Sequence, residues 1–123
     1  MIKTSFFANR KLVDMKGVTL FSASLYTPHW FKLPNIHLNS RFKVAPTKYL
    51  LDGYKDGSID QEEYASEYIY GILAKVDRQE LLRFLDQIAG DTDKILLCWE
   101  YPDKFCHRHI LRDFLGGEVE LDI

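Results

Sequence analysis

Several features that often reveal function are scarce in this chain of 123 residues. It has only two cysteines, too few for the disulfide framework of a small secreted protein. Its net charge of −2 argues against holding nucleic acid by bulk electrostatic attraction. No apolar run approaches the roughly 20 residues that a membrane-spanning helix needs. The first residues also lack the apolar segment of a signal peptide, so we expect a cytoplasmic protein with free thiols.

Familiar enzyme motifs are missing as well. The chain has no glycine-rich phosphate loop, no serine–histidine–aspartate order and no HExxH zinc motif. The spacing of cysteine phosphatases is absent too, because Lys104 and not arginine stands six positions after Cys98. These absences set the corresponding enzyme classes aside, and no cofactor is expected.

The composition is that of an ordinary globular protein, with 46% hydrophobic and 28% charged residues. Residues 1–123 are predicted to form a single α/β domain, long enough to bury one core without a metal or a disulfide. Short β-branched and aromatic runs predict two early strands, at Ile2–Phe7 and Val18–Tyr26. Segment 30–46 has no helical period and predicts a long loop with a short strand at Ile36–Leu38.

The second half of the chain predicts helices around one buried strand. Three helices are expected where apolar residues repeat at helical spacing: Thr47–Tyr54, a helix capped by Asp60, and a helix from Asp77 to Gly90. The continuous apolar run Lys94–Trp99 predicts a buried strand. Asp103 is a candidate N-cap for a last helix at Lys104–Leu115, and alternation over 119–123 predicts a terminal strand. This order predicts a three-layer α/β sandwich, with a small mixed or mainly parallel sheet flanked by helices.

Reactive side chains gather at the turn that follows the buried strand. Cys98 and Glu100 lie at its carboxyl end, where ligands usually bind in open α/β sheets. Both point to one face if the strand continues through Glu100. Cys106 falls in the first turn of the next helix, where the helix dipole lowers a thiol pKa and His107 and Arg108 add to the effect. Arg108 can also hold a carboxylate or phosphate through two hydrogen bonds.

Four interpretations of this turn stay open. Free cysteines often serve as small buried apolar side chains, so Cys98 and Cys106 can be structural. A metal site that adds His107 or His109 would lack any known zinc spacing, and no metal is predicted. A redox pair or a disulfide is a further alternative, since a turn could bring the two thiols together, although the Cys-x-x-Cys spacing is absent. The fourth interpretation is a catalytic or ligand-binding cluster formed by Glu100, Cys106, His107 and Arg108.

The segment LLCWEYPDKFCHRHILRDFL resembles the C-terminal signature of domain of unknown function 488, a bacterial and phage family. Members show a strand that ends in Cys-x-Glu, then a loop, then Cys-His-Arg at the start of a helix. The similarity extends to the segments TSFF, SASLYTPHW and YKDGSI. The resemblance implies an α/β fold and a site built from five residues: Cys98, Glu100, Cys106, His107 and Arg108. It implies no particular reaction.

Aromatic residues near the predicted loops could form a pocket for a nucleotide or a single nucleic-acid strand. Aromatic side chains stack on nucleobases at roughly 1–3 kcal/mol per base. Two serines on the second predicted strand could bond the same ligand. The candidate ligand-binding residues are Ser22, Ser24, Tyr26, Trp30, Trp99 and Tyr101. The structural alternative is that the rings pin their loops onto the core and the serines bond local backbone groups.

Two functions follow from these residues. The first is a small cytoplasmic protein with a ligand or active site between Cys98 and Arg108, acting on a nucleotide or nucleic-acid moiety. As an enzyme it would use Cys106 or Cys98 as nucleophile, Glu100 as general acid and base, His107 to tune the thiol, and Arg108 to hold an anionic group. The second is a non-catalytic binding module, a phage or mobile-element accessory protein that sequesters a small ligand or blocks a host protein. The sequence does not decide between them.

Overall fold

The computed structural model describes residues 1–101 and 104–117, and four strands form one parallel sheet within them. The strands are β1 (Ile2–Phe6), β2 (Val18–Ser22), β3 (Ile36–His37) and β4 (Asp93–Cys98). Their order across the sheet is β1-β4-β2-β3. The sheet and its helices confirm the predicted α/β fold, and among the described residues every strand pair is parallel.

All four strands end sooner than predicted, β1 and β3 by one residue each. β2 ends at Ser22, because the Ser24 hydroxyl donates a hydrogen bond to the Tyr26 carbonyl at 2.7 Å and turns the chain out of the sheet. β4 ends at Cys98, so Trp99 and Glu100 lie beyond the strand. The condition for Cys98 and Glu100 to share one strand face is therefore not met.

Three helices follow β3 and begin near the predicted caps. They are α1 (Lys48–Asp56), α2 (Gln61–Glu67) and α3 (Arg78–Ala89). The Asp60 and Asp77 side chains accept hydrogen bonds from backbone amides in the first turns of α2 and α3, as the sequence predicts. After α2 the chain continues as a π-helical turn, Tyr68–Ile72, and a 3-10 turn, Leu73–Lys75.

The last helix, α4, spans His107–Phe114, and the predicted start at Lys104 is wrong. Cys106 is its N-cap residue, with an extended backbone (φ −150°, ψ 144°) and no side-chain cap hydrogen bond. Burial of His107 and Arg108 in the first turn holds this end of the helix, so tertiary packing sets the start. The candidate N-cap Asp103 and the predicted strand over 119–123 lie outside the described residues.

The two faces of the sheet are covered by different layers. Phe21 and Leu96 face the larger core, which contains buried residues from all four α-helices. Alternate side chains of the same strands, such as Leu20 and Ile95, face a smaller core. A 3-10 helix, Arg10–Asp14, and the loop after β2 cover that second face. The layers are thus α-helices, sheet, and a 3-10 helix with a loop.

The parallel arrangement brings the carboxyl ends of the strands to one edge. Cys98 pairs with Phe6 of β1, and the neighbouring Leu97 pairs with Ser22 of β2. This edge is where an open α/β sheet usually binds its ligands. Among the described residues, no helix combines the length and the apolar content that crossing a membrane requires.

Candidate functional site

Two cysteines and a histidine meet at the carboxyl end of β4. Cys98 is the last residue of β4, Cys106 is the N-cap of α4 and His107 is its first helical residue. One ligand atom from each lies within 4.8 Å of the other two. Nδ1 of His107 lies 3.7 Å from the Cys98 sulphur and 3.8 Å from the Cys106 sulphur. A single imidazole nitrogen therefore faces both sulphurs of this cysteine pair.

A backbone carbonyl fixes the orientation of the His107 ring. Its Nε2 lies 2.7 Å from the carbonyl oxygen of Ala23. Because a carbonyl oxygen only accepts hydrogen bonds, Nε2 carries a proton and donates it. Nδ1 is left to accept a hydrogen bond from a thiol when the ring is neutral, or to donate one to a thiolate when it is charged. The Tyr68 ring packs edge-on against the imidazole, with 5.5 Å between ring centroids, and holds it from the side.

The two thiols differ in their tendency to ionise. Burial alone would raise the pKa of Cys106, but the hydrogen bond from Cys98, the nearby His107 and the charge of Arg108 outweigh it and hold that pKa well below its usual value. Burial, followed by the hydrogen bond and charge of Cys106, raises the pKa of Cys98 well above the usual value. These opposite shifts favour ionisation of Cys106 over ionisation of Cys98.

A cavity of about 500 Å³ opens onto the cysteine pair. Cys98, Cys106 and His107 line it, although each side chain is almost fully buried. An aromatic wall surrounds them, formed by Tyr26, Tyr54, Tyr64, Trp99 and Phe105. The polar and charged groups of the lining are Ser24, Lys55, Glu100 and Lys104. A small molecule in this cavity would touch the thiols and the rings together.

The aromatic wall is held by ring-to-ring packing. Tyr54, Tyr64 and Phe105 pack against one another with centroid distances of 5.2 to 5.5 Å. The Trp99 indole N–H donates a hydrogen bond to the Tyr26 carbonyl at 2.8 Å. That bond joins the turn after β2 to the turn after β4. Two sides of the cavity are therefore tied together by contacts that need no ligand.

Most of the residues predicted for the site line this cavity. They are Cys98, Glu100, Cys106 and His107 from the candidate catalytic set, and Ser24, Tyr26 and Trp99 from the candidate ligand-binding set. Glu100 is exposed, which places its carboxylate at the open side of the cavity.

The other four predicted residues lie outside the cavity lining. Ser22 is fully buried and its hydroxyl accepts a hydrogen bond from the Thr27 hydroxyl at 3.0 Å. Trp30 packs edge-on against Trp99, and Tyr101 packs against Phe6. These side chains support the turns around the cavity and do not face its interior.

Arg108 is the fourth of these residues and has no exposed surface. Its charge favours the ionised form of both cysteines, although burial still raises the pKa of Cys98. Arg108 is not part of the cavity lining, and its predicted role in holding an anionic group stays a prediction. Lys55 and Lys104 are the cationic side chains on the cavity lining.

Sequence reasoning missed the part of the site that comes from α1 and α2. Tyr64 lies at helical spacing with Tyr68, a pattern that predicts packing, and it is indeed buried while also lining the cavity. Tyr54 and Lys55 fall in the YKDGSI segment, and that family-like segment is the one signal that pointed to them. Their approach to the cysteine pair depends on how α1 and α2 pack across the sheet.

The cysteine pair and His107 could also be considered for a metal ion, since thiolate and imidazole are the donors that zinc prefers. The charge of the buried Arg108 acts on both sulphurs and would oppose a divalent cation between them. The same charge favours a thiolate without a metal. The arrangement therefore fits an activated thiol better than a metal centre.

The family comparison agrees with the motif at the end of β4. The chain matches the model of the family DUF488-N3a, described as the active DUF488-N3 subclade, over residues 35–118. This match covers more than half of the chain and includes the whole segment from Cys98 to Arg108. No match is found among curated proteins, and none among solved structures. The resemblance seen in the sequence is thereby confirmed, and the chain belongs to the DUF488 family, in its DUF488-N3a subclade.

Proposed function

We propose that this protein is an enzyme in which the Cys106 thiolate attacks a nucleotide-like substrate bound in the cavity. The observation that carries the proposal is the position of the Cys106 sulphur, which meets the cavity lining beside both Cys98 and the Nδ1 atom of His107. A thiolate, and not a thiol, is the nucleophile in cysteine chemistry. The low pKa of Cys106 supplies that thiolate near neutral pH.

The two cysteines take different roles in this proposal. Cys98 stays protonated, because its pKa is raised by burial and by the neighbouring Cys106. Its S–H group donates to the Cys106 thiolate and positions it. Cys106 is therefore the nucleophile, and Cys98 is a positioning residue.

The proton transfers fall to His107 and Glu100. His107 can hold a proton on Nδ1 opposite the thiolate, while Nε2 stays bonded to Ala23. Glu100, at the open side of the cavity, is placed to protonate a leaving group or to activate water in a second step. Burial raises the pKa of Tyr64, so its hydroxyl stays neutral and can donate a hydrogen bond within the cavity.

The lining favours a ligand that has a flat ring and an anionic group. Aromatic side chains on several sides suit a nucleobase, and Lys55 and Lys104 suit a phosphate. A cavity of about 500 Å³ lies within the usual range for small-molecule sites. These features support a nucleotide, or a nucleotide within a larger molecule, as the substrate class.

The family description supports catalysis over simple binding. DUF488-N3a is described as an active subclade, and the matched range of this chain includes Cys98, Glu100, Cys106, His107 and Arg108. A reducing cytoplasm would keep both thiols in the form that the proposal needs. A cytoplasmic location is accordingly part of the proposal.

The test is alkylation of the purified full chain by iodoacetamide at pH 7, with each cysteine followed by mass spectrometry. We expect Cys106 to react much faster than Cys98. Millimolar nucleoside monophosphates should slow that reaction by covering the thiolate. The variants Lys55→Met and Lys104→Met should weaken the protection, whereas Lys75→Met, at an exposed position away from the cavity lining, should leave it unchanged.

Two results would count against the proposal in different ways. If both cysteines react slowly and equally, Cys106 is not an activated nucleophile. If Cys106 is reactive but no nucleoside monophosphate protects it, the substrate class is wrong while the nucleophile stands. If both cysteines react slowly and nucleoside monophosphates slow that reaction further, the result would support the alternative of a non-catalytic binding module.

A further inference from the structure

The cysteine pair has a geometry that the nucleophile role does not require. A nucleophile needs one sulphur, yet a second thiol lies within 4.8 Å of it and is nearly as well buried. Cys98 comes from the sheet and Cys106 from the start of α4, so the fold brings together two sulphurs that are distant in the chain. Both line the cavity, which gives a small polar oxidant a route to them.

We propose that Cys98 and Cys106 form a reversible oxidation site, at which hydrogen peroxide converts the two thiols into an intramolecular disulfide. The inference concerns the same sulphurs as the proposed function but stands without it, because it needs no substrate. Oxidation to a disulfide takes two steps, and each step needs a thiol in a different state. The first step needs a thiolate that peroxide can reach, and the second needs a thiol beside it.

The chemistry balances with peroxide as the only oxidant. The Cys106 thiolate attacks one peroxide oxygen, the O–O bond breaks, and with one proton the products are a Cys106 sulfenic acid and water. The Cys98 sulphur then attacks the Cys106 sulphur, the S–O bond breaks, and the hydroxyl leaves as a second water. Nδ1 of His107, 3.7 Å from the Cys98 sulphur, is placed to take the Cys98 proton and pass it to the departing hydroxyl.

The movement required is small. A disulfide has a sulphur–sulphur bond of about 2.05 Å, so the two atoms need to approach by at most roughly 3 Å from their reduced positions. The product would remove the Cys106 thiolate and close the reactive part of the cavity. Oxidation would therefore switch off thiol chemistry at this site, and reduction would restore it.

The experiment treats the reduced full chain with equimolar hydrogen peroxide and follows its intact mass. We expect the wild-type protein to lose the mass of two hydrogen atoms and to become resistant to iodoacetamide, and dithiothreitol should reverse both changes. Cys98→Ser should instead gain one oxygen and react with dimedone, the reagent for sulfenic acids. Cys106→Ser should neither gain an oxygen atom nor react with dimedone. Cys98→Ala serves as a second variant should serine disturb the buried position.

Three results would overturn the inference. The first is a wild-type protein that gains two or three oxygen atoms without losing hydrogen, since Cys98 would then not trap the sulfenic acid. The second is a disulfide that joins two molecules, seen as a dimer on a non-reducing gel. The third is a Cys98→Ala protein that also loses the mass of two hydrogen atoms, since Cys98 would then not be the partner of Cys106. None of these would affect nucleotide protection of the reduced thiol, so the two proposals can fail separately.

Discussion

The two ends of strand β4 differ in how their polar groups are paired and in whether those groups line the cavity. At the amino end, the ammonium group of the buried Lys94 lies 2.9 Å from the Asp86 carboxylate, and Lys3 lies 3.3 Å from Asp93. At the carboxyl end, the cysteine pair and His107 bond to one another and also line a cavity. Polar groups that are paired with one another and lie outside the lining of this cavity need only a structural explanation. Groups that are held in place and still open to a ligand call for a chemical one.

The charged groups at the two ends of β4 also differ in how strongly solvent screens them. The Lys94–Asp86 pair joins a buried ammonium to a carboxylate that is 70% exposed, so solvent screens much of the attraction. The charge of Arg108 is fully buried beside two buried sulphurs, where screening is weak. Identical elementary charges therefore change thiol chemistry at one end and contribute little at the other.

The largest expected effect comes from removing the nucleophile. Cys106→Ser should lower the total rate of iodoacetamide modification at pH 7 by roughly thirtyfold or more, because an ordinary thiol is only a few per cent ionised there. Cys98→Ser should keep most of the reactivity on Cys106. The measurement is the loss of free thiol over time, with circular dichroism to confirm folding. Equal rates in the two variants would contradict the proposed difference in reactivity between Cys98 and Cys106.

A smaller effect is expected when His107 is replaced. His107→Asn removes the Nδ1 contact and the positive charge that help to lower the pKa of Cys106. Cys106 alkylation at pH 7 should fall by about fivefold at most, which is the loss of thiolate that a rise of about one pKa unit causes in a thiol half ionised at pH 7. His29→Asn, on an exposed loop, is the matched control and should leave the rate unchanged. A rate that stays the same in both variants would show that His107 only fills space.

The pH dependence gives a still smaller change and tests the sign of the pKa shift. A free cysteine reacts roughly twentyfold faster at pH 9 than at pH 7, because its thiolate forms near pH 8.5. The pKa of Cys106 lies well below its usual value, so its rate should rise much less between pH 7 and pH 9 than that of a free cysteine. The rate should be lost only as the pH falls through the lowered pKa. A rise like that of free cysteine would contradict this assignment.

The smallest effect is expected at the other end of β4. Lys94→Met removes the ion pair with Asp86 and keeps the apolar stem, so the free energy of unfolding should change by less than about 1 kcal/mol. Urea denaturation measures that change. Cys106 alkylation should stay the same as in the wild type. A large loss of thiol reactivity would mean that the two ends of the strand are coupled.

The elements were largely predictable, because each depends on local pattern. The run Lys94–Trp99 predicted β4 to within one residue at each end, and Asp77 was correctly read as the start of α3. The start of α4 was not predictable in this way. Cys106 makes no side-chain cap, and burial of the next two residues decides where the helix begins.

The sequence predicted where the candidate site lies, but it predicted less of how the residues of the site are arranged. The chemistry-bearing residues after β4 stood out by type and spacing, but Arg108 could be taken for a ligand-binding group as easily as for a buried charge. Glu100 could be placed with Cys98 only if β4 continued, and it does not. Tyr54 and Tyr64 join the site from α1 and α2, across contacts that no local pattern encodes.

The sequence by itself determined the α/β class, the position of the reactive turn and the family, because periodicity, residue type and motif spacing are properties of neighbouring residues. The tertiary structure alone decided which cysteine carries the charge, since burial and the positions of His107 and Arg108 oppose one another there. It also decided that the rings of α1 and α2 face the thiols. Ionisation and cavity shape depend on groups brought together by folding, and that is why they appear only in three dimensions.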